Sequence, residues 1–547
     1  MPSLARPWRA LLIVTISIAQ PRAAITAQHD AHSSAPLDST AARFGTVSFA
    51  NSGAAFAQAP FLRGLALLHN FEYDDAAAAF RDAQRRDPGF AMAYWGEAMT
   101  YNHGIWREQD SVKARALLER LGETSANRLA KAKTEREQAY LRTLDVLYFG
   151  PRTKAGRDSA YAIETGKLAK RYPDDANAQL FYSLALLSLF PRTDSTYVHA
   201  AKIAEVVLRG HPTHPGALHY IIHAYDDPAH ASQGLAAARA YSKVAPGASH
   251  AQHMTSHIFV ALGMWDDVVA ANEASIRTVA TTANTPVASI AGCGHVALWL
   301  HYAYLQQGRL ADARRLSSSC QGRSASSQNA AGGYSEMRLQ YLVDVEQAEP
   351  TLPPMGDVSK LPAFVDLTQS YATAYDRLRR GDTSETPALI SRMHSLTASM
   401  LGSPMMRMMP EMAGEADVVE TELAALVDWR RGKLNDALAK LTRATAQEDL
   451  LPFEFGPPEI EKPSHELLGE VLLAGGRPRD ARREFEIALK RTPGRSLTLL
   501  DLARACRAAG DSVAGRNAYR QLAANWKHAD STVAAVREAR AGAQEAR

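Results

Sequence analysis

Cysteine is scarce in this chain: Cys293, Cys320 and Cys506 are the only three in 547 residues. So sparse and odd a set is no disulfide framework. A single Cys293–Cys320 bridge in an oxidising compartment and free buried thiols both remain open. Aromatic residues make up only 7%, which favours helices packed closely through small side chains. Neither sign of charge prevails, with 61 Lys and Arg against 58 Asp and Glu, so nothing points to a nucleic-acid surface. After the first residues no apolar run reaches the length that spans a bilayer. Phosphate loop, dinucleotide glycine pattern, haem-attachment Cys-x-x-Cys-His and Gly-x-Ser-x-Gly elbow are all missing. No His-Glu-x-x-His occurs either; the two His-x-x-x-His pairs read His219-Tyr-Ile-Ile-His223 and His253-Met-Thr-Ser-His257, with no glutamate base between them. No catalytic residue can therefore be assigned from the sequence.

The first 27 residues have the features of a secretory signal. Arg6 and Arg9 precede the apolar run Leu11–Ala19, and small residues follow up to a cleavage expected after Ala27. The sequence thus predicts export to the periplasm or beyond, with no membrane span after removal of residues 1–27. Residues 28–56, rich in His, Ser, Ala and Thr, read as a flexible lead-in.

Histidine is where the chain is rich. Eight of the 18 histidines lie between His211 and His257. His219 and His223 are four apart, and His250, His253 and His257 are three and four apart. Residues so spaced share one face of a helix. Two such stripes on neighbouring helices make a transition-metal candidate.

A second signal is an internal period. Gly64, Leu67, Ala76, Phe80, Ala83 and Pro88 are matched by Gly469, Leu472, Ala481, Phe485, Ala488 and Pro493. Both sets resemble the tetratricopeptide repeat (TPR), a helix pair with small residues at the crossing, an aromatic filling the gap and a closing proline. Tyr94-Trp95-Gly96, Pro173, Pro212, Pro246, Gly263, Gly308, Gly432 and Gly510 carry the frame onward with gaps. The resemblance implies an all-α fold, an α-solenoid of TPR-like helix-turn-helix pairs in a right-handed superhelix. The expected divisions are an N-terminal array over 57–320, a loop and linker over 321–363, a middle helical region over 364–449, a proline-rich entry with a C-terminal repeat pair over 450–530, and a tail over 531–547.

In such repeats the second, fifth, ninth, twelfth and thirteenth residues line the concave groove. Applied here, the resemblance places His219 and His223, then His250, His253 and His257, then His295, on groove positions. His69, His103, Asp226 and Asp227 follow at twelfth and thirteenth positions. Adjacent helices pack about 8–10 Å apart, so one ion at about 2.0–2.1 Å from nitrogen can bridge two of them. His219, His223, His250, His253, His257 and His295 are therefore the candidate metal ligands, with Asp226 or Asp227 ligating or orienting an imidazole. Two other readings stay open: a histidine-lined groove that hydrogen-bonds a polar ligand, and helix packing through histidine–aromatic contacts. Seven of the 14 methionines (Met393, Met400, Met405, Met406, Met408, Met409 and Met412) lie between residues 393 and 412. Thioethers suit copper, and they equally suit adaptable core packing. The sequence thus points to a repeat scaffold with a copper, zinc or iron site, to a metalloenzyme using the same cluster, or to a plain protein- or peptide-binding scaffold.

Overall fold

The computed structural model describes residues 42–287, 292–346, 352–358, 360–402, 411–453 and 455–544. The expected signal segment and Met405, Met406, Met408 and Met409 lie outside them. The chain divides into two compact units. The N-terminal unit comprises the described residues 42–287 together with Phe455 and Gly456; the C-terminal unit comprises 292–453 and 457–544.

The fold is all-α, built from successive antiparallel helix pairs of TPR type. In the N-terminal unit these are α1 (Ala55–His69), α2 (Tyr73–Arg86), α3 (Ala91–Met99), α4 (Ser111–Leu121), α5 (Ser125–Leu129), α6 (Glu135–Phe149), α7 (Lys154–Arg171), α8 (Ala176–Leu187), α9 (Asp194–Gly210), α10 (Pro215–Ala224), α11 (Ala231–Val244), α12 (Ser249–Ala261) and α13 (Trp265–Thr282). A two-residue hairpin, β1 (Asn102–His103) with β2 (Glu108–Gln109), encloses one turn of 3-10 helix between α3 and α4. The C-terminal unit runs through α14 (His295–Gln306), α15 (Leu310–Gln321), α16 (Gln328–Asp344), α17 (Ala363–Arg379), α18 (Thr386–Leu401), α19 (Glu411–Arg430), α20 (Leu434–Glu448), α21 (Ser464–Ala474), α22 (Pro478–Arg491), α23 (Ser496–Ala508), α24 (Ser512–Asn525) and α25 (Ala534–Gln544).

The repeat residues explain the hairpins. The buried Phe80 ring fills the crossing of α1, α2 and α3, where a methyl group on Gly64 would come within 2.9 Å of it and one on Gly96 closer still. Phe485 does the same against Gly469, at 2.6 Å. Only glycine admits an aromatic ring at that depth, and so full a core tolerates no added carbon.

Three stretches differ from the sequence reading. The lead-in is anchored from residue 44: Phe44 and Phe49 are buried, and Phe49 packs on Phe61, Trp95 and Tyr140. The stretch read as loop and linker contains the helix α16. Its Gly333 is pressed against the Cys293 carbonyl and its Gly332 against Phe364, so small residues there serve close packing rather than a turn. The expected tail carries α25, whose Ala535, Val536 and Ala539 join the core around Tyr519 and Leu522. Cys293 and Cys320 form a disulfide with Cα atoms 5.7 Å apart, and Cys506 is a buried free thiol. No helix among the described residues is long and apolar enough to cross a membrane.

Candidate metal centre

Helices α10 and α12 are both first helices of their pairs. Pro215 opens α10, where its missing N–H is not needed, and every residue of this helix is buried. Leu218, Ile222 and Tyr225 form the stripe that packs on the rest of the pair. His219 and His223 stand one position round from it. In α12, residues Ala251–Ala261 are all buried, and His250 before them is half-buried. The four histidines His219, His223, His253 and His257 are between 0% and 4% exposed. They line an interior, not the open groove face that the repeat frame implied.

Hydrogen bonds fix which nitrogen each ring presents. His219 donates Nδ1–H to the carbonyl oxygen of His69 at 2.8 Å. His253 donates Nδ1–H to Asn272 Oδ1 at 2.7 Å, and that amide is itself oriented by donating to the Val268 carbonyl at 2.9 Å. His257 Nδ1 lies 2.5 Å from Asp226 Oδ2, and both side chains are buried. With Nδ1 engaged in this way, each ring turns its Nε2 inward. His219 Nε2 meets His250 Nε2 at 3.2 Å, and His253 Nε2 meets His257 Nε2 at 3.3 Å. A tetrahedral ion about 2.0–2.1 Å from each nitrogen sets its ligands about 3.3 Å apart. One ring nitrogen each from His219, His223 and His250 lies within 4.8 Å of the others. His223 Nε2 is buried without a hydrogen-bond partner among the described residues.

The electrostatics favour neutral, ligating imidazoles. Burial pushes His219 and His223 well below the usual histidine range, and neighbouring histidines push the same way. Phe71 covers the cluster, its ring centroid 4.3 Å from that of His219, 5.5 Å from His250 and 5.8 Å from His223. Phe455 lies 5.3 Å from His257 and 6.4 Å from His223. A dry apolar cover strengthens polar interactions beneath it and controls access to them.

Phe71 reaches the cluster through an unusual backbone. Its φ is +56°, left-handed. It donates to the Leu68 carbonyl, and Glu72 to that of Leu67. At the α12–α13 turn Gly263 (φ +67°) and Met264 make the same two bonds, to Val260 and Phe259. Phe71 thus occupies the helix-terminal position that glycine usually takes, at a cost of about 1–2 kcal/mol for a side chain. Strain of this kind collects at functional sites.

The other sequence candidates lie in several elements. His69 is no ligand: its Nδ1 bonds Tyr220 (2.9 Å) and its Nε2 Asn177 (3.1 Å), and only its carbonyl serves the cluster. Burial lowers its pKa to about 4. His103 stacks on Tyr73 at 4.0 Å and bonds the Thr100 carbonyl. Asp226 orients His257, whereas Asp227 pairs with Arg192 (3.0 Å) and His230 (2.9 Å). His295 opens α14 in the C-terminal unit, 5.2 Å from Trp299. Of the methionines, Met393 and Met412 are buried. Asn272, Phe71 and Phe455 escaped the sequence reading: one is on the second helix of a pair, one looks like ordinary core, and one is far along the chain. Glu72 also escaped it; its carboxylate accepts from Ser249 Oγ and His250 N, both at 3.0 Å, and so caps α12.

A model of the tetratricopeptide repeat matches residues 38–91, 61–127 and 467–530, so these repeats are present near both ends of the chain. No curated protein matches the chain. Among solved structures it is similar to yeast Tom70, at 11% identity over 89% of this chain and 88% of that one, with a TM-score of 0.24. It is similar to the APC/C hetero-tetramer Cut9-Hcn1 at 9% identity over 90% and 78%, TM-score 0.31. It is also similar to the human IFIT1 dimer with m7Gppp-AAAA, at 10% identity over 89% and 92%, TM-score 0.32.

Proposed function

We propose that this chain is an exported helical-repeat protein whose N-terminal unit binds a transition metal through His219, His223, His250, His253 and His257, with Asp226 orienting His257. One observation carries the reading. Two pairs of Nε2 atoms stand 3.2 and 3.3 Å apart, and in three of the four rings Nδ1 is taken up by an oxygen acceptor. A carboxylate or carbonyl behind a ligating imidazole is the usual support of a metal-binding histidine. An all-imidazole set suits zinc, copper or iron. Export is supported by the signal-like residues 1–27 and by the Cys293–Cys320 disulfide, which belongs to an oxidising compartment.

The test is elemental analysis of the mature chain, residues 28–547, recovered from an exported preparation without a histidine tag. Stoichiometric zinc, copper or iron that disappears in the His253→Ala, His257→Ala double variant supports the reading. No metal after incubation with each ion and dialysis overturns it. N-terminal sequencing of the same sample tests export: a start at Gln28 supports it, and a retained Met1 contradicts it.

A second reading rests on the repeats at residues 38–127 and 467–530: a scaffold for a protein or peptide partner, with the histidines serving only to pack its interior. That reading expects partner binding to survive the double histidine variant unchanged.

A further inference from the structure

The histidines segregate into two groups, each centred on its own nitrogen pair. Ring centroids are 5.0 Å apart for His219 and His250, and 5.1 Å for His253 and His257. Between the groups they are 6.4 Å for His250 and His253, and 5.9 Å for His223 and His257. Each inner pair already spans about the edge of one tetrahedral ion. Five imidazoles also exceed the four ligands such an ion takes.

We infer that the interior holds two metal ions side by side, one on His219, His223 and His250 and the other on His253 and His257; this rests on the metal reading above. The two positions differ in what stands behind their ligands. His219 is backed by a neutral backbone carbonyl. His257 is backed by the Asp226 carboxylate, at 1% side-chain exposure and 2.5 Å. A buried carboxylate raises the basicity of the imidazole it holds more than a carbonyl does. His257 is therefore the stronger donor, whereas the first position supplies one imidazole more, so the two positions differ in affinity. The first position draws its ligands from two helices, α10 and α12, whereas His253 and His257 lie one turn apart on α12 alone. Occupancy of the first position thus ties the two helix pairs together; occupancy of the second leaves that tie unmade.

Equilibrium dialysis of the full mature chain against buffered free zinc, with zinc and protein counted at each step, tests this. Two zinc ions per chain are expected, in two resolved steps. His250 is half-buried, so His250→Ala leaves the fold intact, and it removes the step of the first position alone. Asp226→Asn weakens the step of the His253–His257 position by about 10–100-fold. Circular dichroism on the same samples verifies the fold. Wild-type saturation at one ion overturns the two-ion inference and leaves the metal reading standing. Zero ions overturns both. Loss of both ions from a folded His250→Ala chain overturns the division into two positions.

Discussion

Neutral imidazoles fill the interior of the N-terminal unit, and paired charges fill that of the C-terminal unit. In the latter, Arg495 is fully buried and binds Glu466 and Asp344, each at 2.8 Å. Lys462, at 1% side-chain exposure, binds Glu466 at 2.5 Å and also Glu470. Burial pushes Glu466 up, but Arg495 and Lys462 outweigh it and hold the carboxyl at about 2. In the N-terminal unit, burial instead keeps His69, His214, His219 and His223 uncharged. Both units use the same Gly–Phe hairpin lock, Gly64 with Phe80 and Gly469 with Phe485. The lock sets the scaffold; the residues one stripe away set the chemistry. A closed charge network needs no ligand to be satisfied. The Nε2 atoms facing one another across 3.2 and 3.3 Å are what the proposed metal would join.

The sharpest break in the comparison is removal of one charge. Arg495→Met leaves Asp344 buried without its partner and Glu466 with Lys462 alone, so the C-terminal unit loses about 3–5 kcal/mol. Urea unfolding of the variant measures this, and a loss below about 1 kcal/mol would mean the network is better hydrated than its burial indicates. The equivalent cut in the other unit removes affinity rather than fold. Asp226→Asn keeps the shape beside His257 and weakens metal binding by about 10–100-fold, or about 1.4–2.7 kcal/mol. Competition with a chelator of known affinity reads that change.

Dependence on pH has opposite signs in the two units. His69 is lowered to about 4 by burial. Its contribution is fully present above the unfolded value near 6.5 and is lost as pH falls through about 4. His214, His219 and His223 shift the same way and outnumber Glu72 and Asp158, which shift oppositely. In the C-terminal unit burial raises Asp344 to about 6 and Glu461 to about 8. Glu336 and Glu422 move the same way, against His301, which burial lowers to about 4. A raised carboxyl favours folding below its unfolded value, and stability falls as pH rises through 6 and 8. Amide exchange of chelator-treated protein, corrected for intrinsic rates, is expected to show protection rising from pH 5 to pH 8 in α1 and α10 and falling in α16 and α21. The same direction in both would contradict this account.

The smallest effect expected on metal binding is at Phe71, and it is one of rate. Phe71→Gly relieves a left-handed side chain, worth about 1 kcal/mol, and uncovers His219 and His250. Removing a buried aromatic ring costs about 3–5 kcal/mol, so thermal unfolding of the metal-free variant is expected to show a net loss of about 2–4 kcal/mol. Metal release, in contrast, becomes faster. Unchanged release would show that the ring is core packing alone.

Much of this was legible in the sequence. Gly64, Phe80, Gly469 and Phe485 announce the helix pairs because only one packing fits a missing Cβ opposite a ring. Pro212 and Pro246 set the register, so His219, His223, His253 and His257 fall on one stripe of their helices, which the repeat frame read as an open groove and the structure buries. What spacing does not carry is how they are covered and oriented. Asn272 holds His253 from a second helix, and Phe455 arrives from about 200 residues away in sequence. Phe71 looks like any core aromatic until its φ is known. Composition also misled at 328–335, where Gly332 and Gly333 serve close helix packing in α16, whereas 322–327 do form a turn.

Anomalous diffraction at the zinc edge from crystals of the zinc-loaded mature chain tests the central claim most directly. The account predicts a peak about 2.0–2.1 Å from Nε2 of both His253 and His257, with Asp226 still on the far nitrogen of His257. Diffraction from folded, zinc-soaked protein with no peak within the histidine interior would contradict it.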